Sequence, residues 1–457
     1  MRGWTGILAA ALVLCLSEGT SAMSLRDAVE RAVRNNPDVL ESAANRRAVD
    51  QELRQAESAF SPIVSLEGRV GPQFYDQPNA FSEATNEEWR VGSEIAIVAR
   101  QVLFDGFRRS NELYRQAARI DGAAYRVLER SEIVALDTVE AYIDIARHRQ
   151  ILAIVDDTVR VFGGLRELVQ ERLDAGTETA GSVFQANERI AAAQAIRGDV
   201  VTALGEVNAR FERLVGHPPG ALGAPPFPKP IPATMQAARA EARARYPSVA
   251  AATADVEAAR SEVEQAGGDY LPTLSLEGTA RYGYDVDGTP GRDEEYSIQL
   301  QLSWDIYDGG LRDARRSERV ERLGEARVRQ DRVRMDLDEM VARAYAELAG
   351  NDERLAALLR QLQAADGVVT SYREEYDAGT RSLLDLLDAE NARFSTRVSR
   401  VSSDAVAMFT RYRIISLSRS LLTHFNIATV DESLAGTLDD FDLRPVNGFS
   451  IEPLRRW

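Results

Sequence analysis

Tyr296-Ser297-Ile298-Gln299-Leu300-Gln301-Leu302-Ser303-Trp304-Asp305-Ile306 alternates apolar and polar residues without a break. A period of two sustained over this length is the pattern of a strand with two unlike faces. The run before it behaves the same way, with Leu274, Leu276, Ala280, Tyr282 and Tyr284 set against Ser275, Glu277, Thr279 and Arg281. Two surroundings produce such alternation. One is a soluble antiparallel hairpin with one face packed on a core. The other is a membrane barrel strand with lipid outside and water inside, which crosses in about 10 residues and carries aromatic residues at the interfaces. Tyr282, Tyr284, Tyr296 and Trp304 all stand on the apolar face, where a barrel would place them. Strands are expected near 273–285 and 295–307.

The same text occurs earlier in the chain. Ser275-Leu276-Glu277-Gly278 echoes Ser65-Leu66-Glu67-Gly68, and Pro247 and Pro272 echo Pro37 and Pro62, all displaced by 210 residues. Tyr307-Asp308-Gly309 echoes Phe104-Asp105-Gly106, and Asp377-Ala378-Gly379-Thr380 echoes Asp174-Ala175-Gly176-Thr177, both displaced by 203. A period this long is not that of a solenoid and indicates a tandem duplication of one large half. Strands are therefore expected near 63–74 and 89–104 as well. Four strands cannot close a membrane barrel, which needs at least about eight, so on the barrel reading the chain must oligomerise.

Proline outlines the rest. Seven of the 16 prolines fall between Pro218 and Pro232, and none lies from Asn79 to His217 or from Gly291 to Arg444. The cluster reads as a linker. The long proline-free stretches read as helices, because an interior proline costs about 3 kcal/mol. Helices are expected near 24–59, 107–173, 183–215, 233–266, 310–375 and 384–424. Leu337, Val341, Ala344, Leu348, Leu355, Leu358 and Leu362 recur at coiled-coil spacings, with Asn351 completing the series. The resulting division is a signal segment 1–22, a first repeat 23–216, a linker 217–232, a second repeat 233–425 and an acidic tail 426–457 without helical pattern.

The first 22 residues carry Arg2, an apolar run from Ile7 to Leu16 and the small residues Gly19-Thr20-Ser21-Ala22, the form of a secretory signal cleaved after Ala22. Cys15, the one cysteine, lies inside that run, so the mature chain is expected to have neither thiol nor disulfide. A net charge of −16 argues against nucleic acid as a partner. His148, His217 and His424 are scattered without metal-ligand spacing, and neither Gly163-Gly164 nor Gly267-Gly268 has the flanks of a phosphate loop. No positioned acid, base or nucleophile suggests an enzyme.

Two helix–strand–strand–helix–helix halves behind a signal segment resemble the TolC family of outer-membrane channel proteins. The resemblance runs from about Ser24 to Phe425. Its most specific segment is Tyr376-Asp377-Ala378-Gly379-Thr380-Arg381-Ser382-Leu383-Leu384-Asp385-Leu386-Leu387-Asp388-Ala389, similar to the family's second helix-to-helix turn. Leu103-Phe104-Asp105-Gly106 and Ile306-Tyr307-Asp308-Gly309 are similar to its strand-to-helix signature. The fold implied is a mixed α/β membrane protein in which long helices form a coiled-coil barrel and each chain lends four strands to a transmembrane β-barrel shared by a homotrimer. The helical part would lie in the periplasm and meet an inner-membrane transporter, ABC-type or proton-driven, through a periplasmic adaptor protein. No cofactor is implied.

The resemblance also assigns residues. Tyr282, Tyr284, Tyr296, Ile298, Leu300, Leu302 and Trp304 would face outer-membrane lipid. The two Asp-Ala-Gly-Thr turns, with Asp174, Gly176 and Gly379, would sit at the periplasmic entrance. Tyr376 and Arg381 match positions that hold the family's entrance closed. Gly181-Ser182 occupies the place of the expected Asp partner, leaving Asp174 or Glu178 to pair with Arg381. Asp385 and Asp388, at i and i+3, would form acidic rings able to favour cations or bind a divalent metal. The plain alternative is that they favour a helix N-terminus electrostatically. The function implied is a passive exit duct of a three-part export system, with type I protein secretion favoured by Leu383 to Asn391 and the unlipidated start. A multidrug-efflux duct is the alternative, and a periplasmic coiled-coil scaffold remains if the strands are soluble hairpins.

Overall fold

Two prolines and one serine cut the expected helices into shorter pieces. The computed structural model describes residues 22–75, 88–228, 230–287 and 289–441. The signal segment, apart from Ala22, and residues 442–457 of the tail lie outside the described residues. The helix expected over 24–59 is two helices, α1 (Leu25–Asn35) and α2 (Pro37–Ser58). Proline disfavours helical geometry in the residue before it, and Asn36 is extended at φ −68° and ψ 129°. Its side chain accepts from the Asp38 N–H at 2.9 Å, capping the restarted helix. A second break follows from Tyr246-Pro247. Helices α5 (Met235–Arg245) and α6 (Pro247–Gly267) flank Tyr246 at φ −69° and ψ 127°. These prolines are 210 residues apart, so the break is duplicated along with the sequence.

Helix α3 (Arg108–Asp174) is followed by α4 (Ala180–Val215), and α7 (Leu311–Asp377) by α8 (Leu383–Arg419). Helices α3 and α7 have 67 residues each, about 100 Å at 1.5 Å per residue. The helix expected to run to 424 stops at Arg419. Ser420 takes φ 79°, and a five-residue helix α9 (Leu421–Phe425) follows. The buried carboxylate of Glu132, on α3, accepts from the Ser420 hydroxyl and from the Leu421 N–H at 2.8 Å, which stabilises the break.

The strands are β1 (Ile63–Tyr75), β2 (Glu88–Phe104), β3 (Thr273–Val286) and β4 (Thr289–Ser303), antiparallel throughout and in the order β1-β2-β3-β4. The β2–β3 ladder joins strands of the two repeats. Strand β4 corrects the expected 295–307. Its ladder begins at Thr289 and ends at Ser303, and beyond it the Trp304 indole N–H donates to the Tyr270 carbonyl at 3.2 Å. Residues 289–295 carry no apolar alternation, so the pattern could not reveal them.

The chain divides into two compact units that cut across the repeats. One comprises Met1–Ala32, Thr138–Phe227 and Ala357–Ala405. Phe162, Leu165 and Val169 of α3 pack there with Tyr376, Leu386 and Leu387, and Ile151 and Val155 pack with Phe394. The Tyr142 hydroxyl lies 2.8 Å from the carbonyls of Met23 and Gly223 and holds Met23 beside the linker.

The other unit comprises Val33–Asp137, Pro228–Ala356 and Val406–Trp457, and it contains the sheet. Val49 and Leu53 of α2 pack on Leu113, Ala117 and Ile120 of α3. The stripe Leu337, Val341, Ala344 and Leu348 of α7 packs on Ala238, Ala242 and Val249 and on Ile414 and Leu417. The described part of the tail, to Phe441, has short helical turns that its composition did not suggest. A single 3-10 turn at Asp431–Ser433 precedes the helix α10 (Thr437–Phe441). The N–H groups of Gly436, Thr437 and Leu438 donate to the Asp121 carboxylate at 2.9, 2.8 and 3.0 Å. A carboxylate is the favourable partner for a helix N-terminus, and Leu438 packs on the Val49 cluster.

Candidate channel wall and entrance

Residues opposite one another in an antiparallel ladder share a face, so register sorts the sheet. Leu66 pairs with Ile97 and Ile97 with Ala280, while Ile95 pairs with Tyr282, Leu276 with Leu300 and Ala280 with Tyr296. These residues of all four strands therefore lie on one continuous face. That face is uncovered, its exposed large side chains running from Leu276 at 40% exposure to Ile298 at 82%. Tyr282, Tyr284, Tyr296, Leu300 and Leu302 stand on it exposed, and Trp304 stands exposed one residue past the ladder. A soluble hairpin would bury such a face, since monomeric proteins rarely expose contiguous apolar patches this broad.

The opposite face is charged. Arg281 lies 2.8 Å from Asp293, 3.0 Å from Glu295 and 3.5 Å from Glu94, and Arg69 lies 2.9 Å from Glu94. Strand-to-helix turns close the sheet's other end. Asp105 accepts from the Arg109 N–H at 3.3 Å and its guanidinium at 3.2 Å, and Asp308 accepts likewise from Arg312 at 3.0 and 2.9 Å. Gly106 and Gly309 take φ 72° and 70°, which only glycine adopts freely. An Asp-Gly pair with Arg four residues after the Asp is thus one built device used twice.

The two Asp-Ala-Gly-Thr turns are also built alike. Gly176 and Gly379 take φ 75° and 74°. The Thr177 N–H donates to the Arg172 carbonyl at 2.8 Å and the Gly176 N–H to Leu173 at 2.9 Å, while Thr380 and Gly379 donate to Glu375 and Tyr376 at 2.9 and 3.0 Å. This is the Schellman closure of a helix C-terminus, which needs a left-handed residue. Each threonine hydroxyl adds a bond of 3.0 Å to the same carbonyl.

Between the turns, the buried Tyr376 donates its hydroxyl to Glu178 at 3.1 Å. The Arg172 guanidinium lies 4.3 Å from the Tyr376 ring centre and donates to the Tyr376 carbonyl at 3.1 Å and to Asp377 at 3.2 Å. Burial, with the Glu178 carboxylate next, pushes the Tyr376 phenol up to about 12. Arg381 does not pair with Asp174 or Glu178 as expected. It binds Glu375 at 2.8 Å and stacks 4.1 Å from the Tyr372 ring centre, while Asp174 accepts from Gln170 at 3.0 Å. Its nearest strong acid lies on its own turn. Glu375 occupies the position of Arg172 in the other repeat, a sign reversal that comparing the repeats could have exposed.

Asp385 and Asp388 also have local partners. Ser382 caps the start of α8, donating to Asp385 at 2.8 Å and accepting from its N–H at 3.2 Å, and Asp388 lies 2.8 Å from Arg189. Among the described residues no group of three or more His, Cys, Asp or Glu stands close enough within one chain to hold a metal ion. His148 bonds the Asp144 carbonyl at 2.8 Å, His217 lies 2.8 Å from Arg31, and His424 packs edge-on to Tyr412. No described helix is long and apolar enough to cross a membrane.

An open-edged sheet with a bare apolar face and an ion-paired polar face, in a chain with helices of this length, has the features of a membrane channel rather than of a soluble hairpin protein. The chain belongs to the outer membrane efflux protein family, whose pattern matches residues 28–217 and 238–403; this is the TolC family of channels. Outer membrane efflux protein BepC of Brucella suis is 27% identical, over 90% of this chain and 89% of its own. Alkaline protease secretion protein AprF of Pseudomonas aeruginosa is 26% identical, over 90% and 88%. The CmeC outer membrane channel of Campylobacter jejuni superimposes with a TM-score of 0.75 at 12% identity, covering 92% of this chain and 88% of that one, a likeness of fold. The protein is accordingly an outer-membrane channel with a periplasmic helical part, and its family consists of channels, not enzymes.

Proposed function

We propose that three copies of this chain form the exit duct of a three-part export system, and that the cargo is protein delivered by a type I machine. The observation that carries the duct is the sheet. It has a bare apolar face, a charged opposite face and two outer edges, β1 and β4, without a ladder partner among the described residues. Four strands from each of three chains make a twelve-stranded barrel, an even number within the range of membrane barrels. Pairing β4 of one chain with β1 of the next satisfies every edge. In this reading Tyr282, Tyr284, Tyr296, Ile298, Leu300, Leu302 and Trp304 meet lipid, and the polar face lines water.

The helical turns form the periplasmic entrance, where Asp385 and Asp388 of three chains supply six carboxylates that favour cations. An adaptor protein joins this end to an inner-membrane transporter, ABC-type or proton-driven, which provides the energy. AprF, whose name states protease secretion, supports the protein-exporting branch. BepC, named for efflux, supports small-molecule export as the second reading.

Quantitative mass spectrometry of culture supernatants from a deletion strain and its complemented counterpart separates the two. Loss of one or a few large secreted proteins establishes the secretion branch and identifies the cargo. An unchanged secretome moves the assignment to small-molecule efflux.

A further inference from the structure

The polar face of the sheet is not open along its whole length. Strand β3 does not end in a flat hairpin. Its ladder shifts between Tyr284 and Val286, and Asp285 and Asp287 take left-handed φ of 50° and 49°. The chain then curls back over the polar face. Val286 is buried at 2% exposure, and a Cβ on Gly283 would lie 2.3 Å from its Cγ2. A Cβ on Gly92 of β2 would lie 2.8 Å from the Asp285 carbonyl oxygen. Register places Gly92 with Glu94, and Gly283 with Arg281, on the charged face. Glycine at both sites leaves room for the folded-back backbone.

Ion pairs hold the segment down. Asp287 lies 3.2 Å from Arg281 and 3.4 Å from Arg69, and Asp285 lies 3.6 Å from Arg90. Arg69 pairs in register with Glu94, and Glu94 with Gly283, so these three form one row. Asp287 is four residues beyond Gly283 and would lie about 13 Å past that row on an extended strand. Its contact with Arg69 requires the return.

We propose that the segment 285–287 is a latched constriction at the extracellular mouth, setting the size of solute that leaves the channel. This rests on the barrel reading above, in which the polar face lines the lumen and the end of the sheet remote from the helices faces outward. Three copies, one per chain, narrow the exit. Pairs of this kind, partly open to water, are individually weak and yield to salt. The latch therefore releases as ionic strength rises.

The test is polymer exclusion on purified trimers in planar bilayers, with neutral polymers of graded mass added from the extracellular side only, so that the entrance does not contribute. The wild type is compared with Asp287→Asn, which removes the carboxylate shared by Arg69 and Arg281, and with Gly92→Val, which displaces the turn sterically. Both variants are expected to admit larger polymers than the wild type. The wild-type cutoff is expected to rise between about 0.1 M and 1 M salt. Identical cutoffs in all three proteins and at both salt concentrations overturn the constriction alone. Wild-type protein that forms neither trimer nor pore overturns the barrel reading, and the constriction with it.

Discussion

Single side chains decide how firmly the turns and breaks of this protein are held. Arg381 binds Glu375 and covers Tyr372, so Arg381→Ser removes an ion pair and a stacked cation from the α7–α8 turn. If that turn forms the entrance, single-channel conductance rises in the variant. An unchanged conductance removes Arg381 from the closure. Glu132 offers a pH test. Burial, its largest influence, pushes the carboxyl above the usual 4.5, against the bonds from Ser420, Leu421 and Leu422. A raised carboxyl contributes stability that is complete below about 4.5 and lost as pH rises through the folded-state value. Glu132→Gln should therefore flatten the fall in melting temperature from acid to neutral pH. Glu132→Ala, which leaves buried N–H groups unmet, should cost about 1–3 kcal/mol in acid and less toward neutral pH. Equal pH slopes in wild type and Glu132→Gln would remove the carboxyl from the pH response. Neither Glu132 nor the Glu178–Tyr376 bond was legible in the sequence, because both join residues far apart in the chain and neither belongs to a repeated motif.

Elements were legible where their signal was periodic or duplicated. The strands showed themselves by alternation, and the Asp-Gly and Asp-Ala-Gly-Thr turns by recurring at a fixed displacement. The polar half of β4 was hidden because alternation needs apolar residues to be seen. The helix breaks at Pro37 and Pro247 were present as prolines, yet their high-propensity surroundings read as continuous helix. The break at Ser420 had only a faint local signal, a serine whose hydroxyl caps α9 by accepting from the Thr423 N–H at 3.2 Å, because its other partner, Glu132, is distant in sequence. Glycine position gives a prediction of opposite signs. Gly379→Ala forces a side chain into φ 74° and should cost about 1–2 kcal/mol. Gly367→Ala, inside α7 with nothing within 4 Å of the added Cβ, should stabilise by about 0.5–1 kcal/mol. Thermal unfolding of the two variants checks both. Shifts of the same sign would mean that the Schellman geometry does not govern the α7–α8 turn.

At the scale of the whole molecule, the duplication is visible in sequence and the division into compact units is not. Each unit takes segments from both repeats, because α3, α7 and α8 run on past the points where the units separate. Stability is therefore not stored repeat by repeat, and neither half of the sequence should be expected to fold alone. The sheet carries this dependence beyond one chain. Its apolar face and its two unladdered edges are, for a lone chain in water, a template on which other strands can add and aggregate. The helical part already buries apolar clusters within the chain and can form first. On the proposed barrel reading, the sheet would be satisfied only once lipid and two further copies are present together. On that reading, biogenesis would be ordered by these surfaces: helices in the aqueous compartment first, then closure of the strands at the membrane.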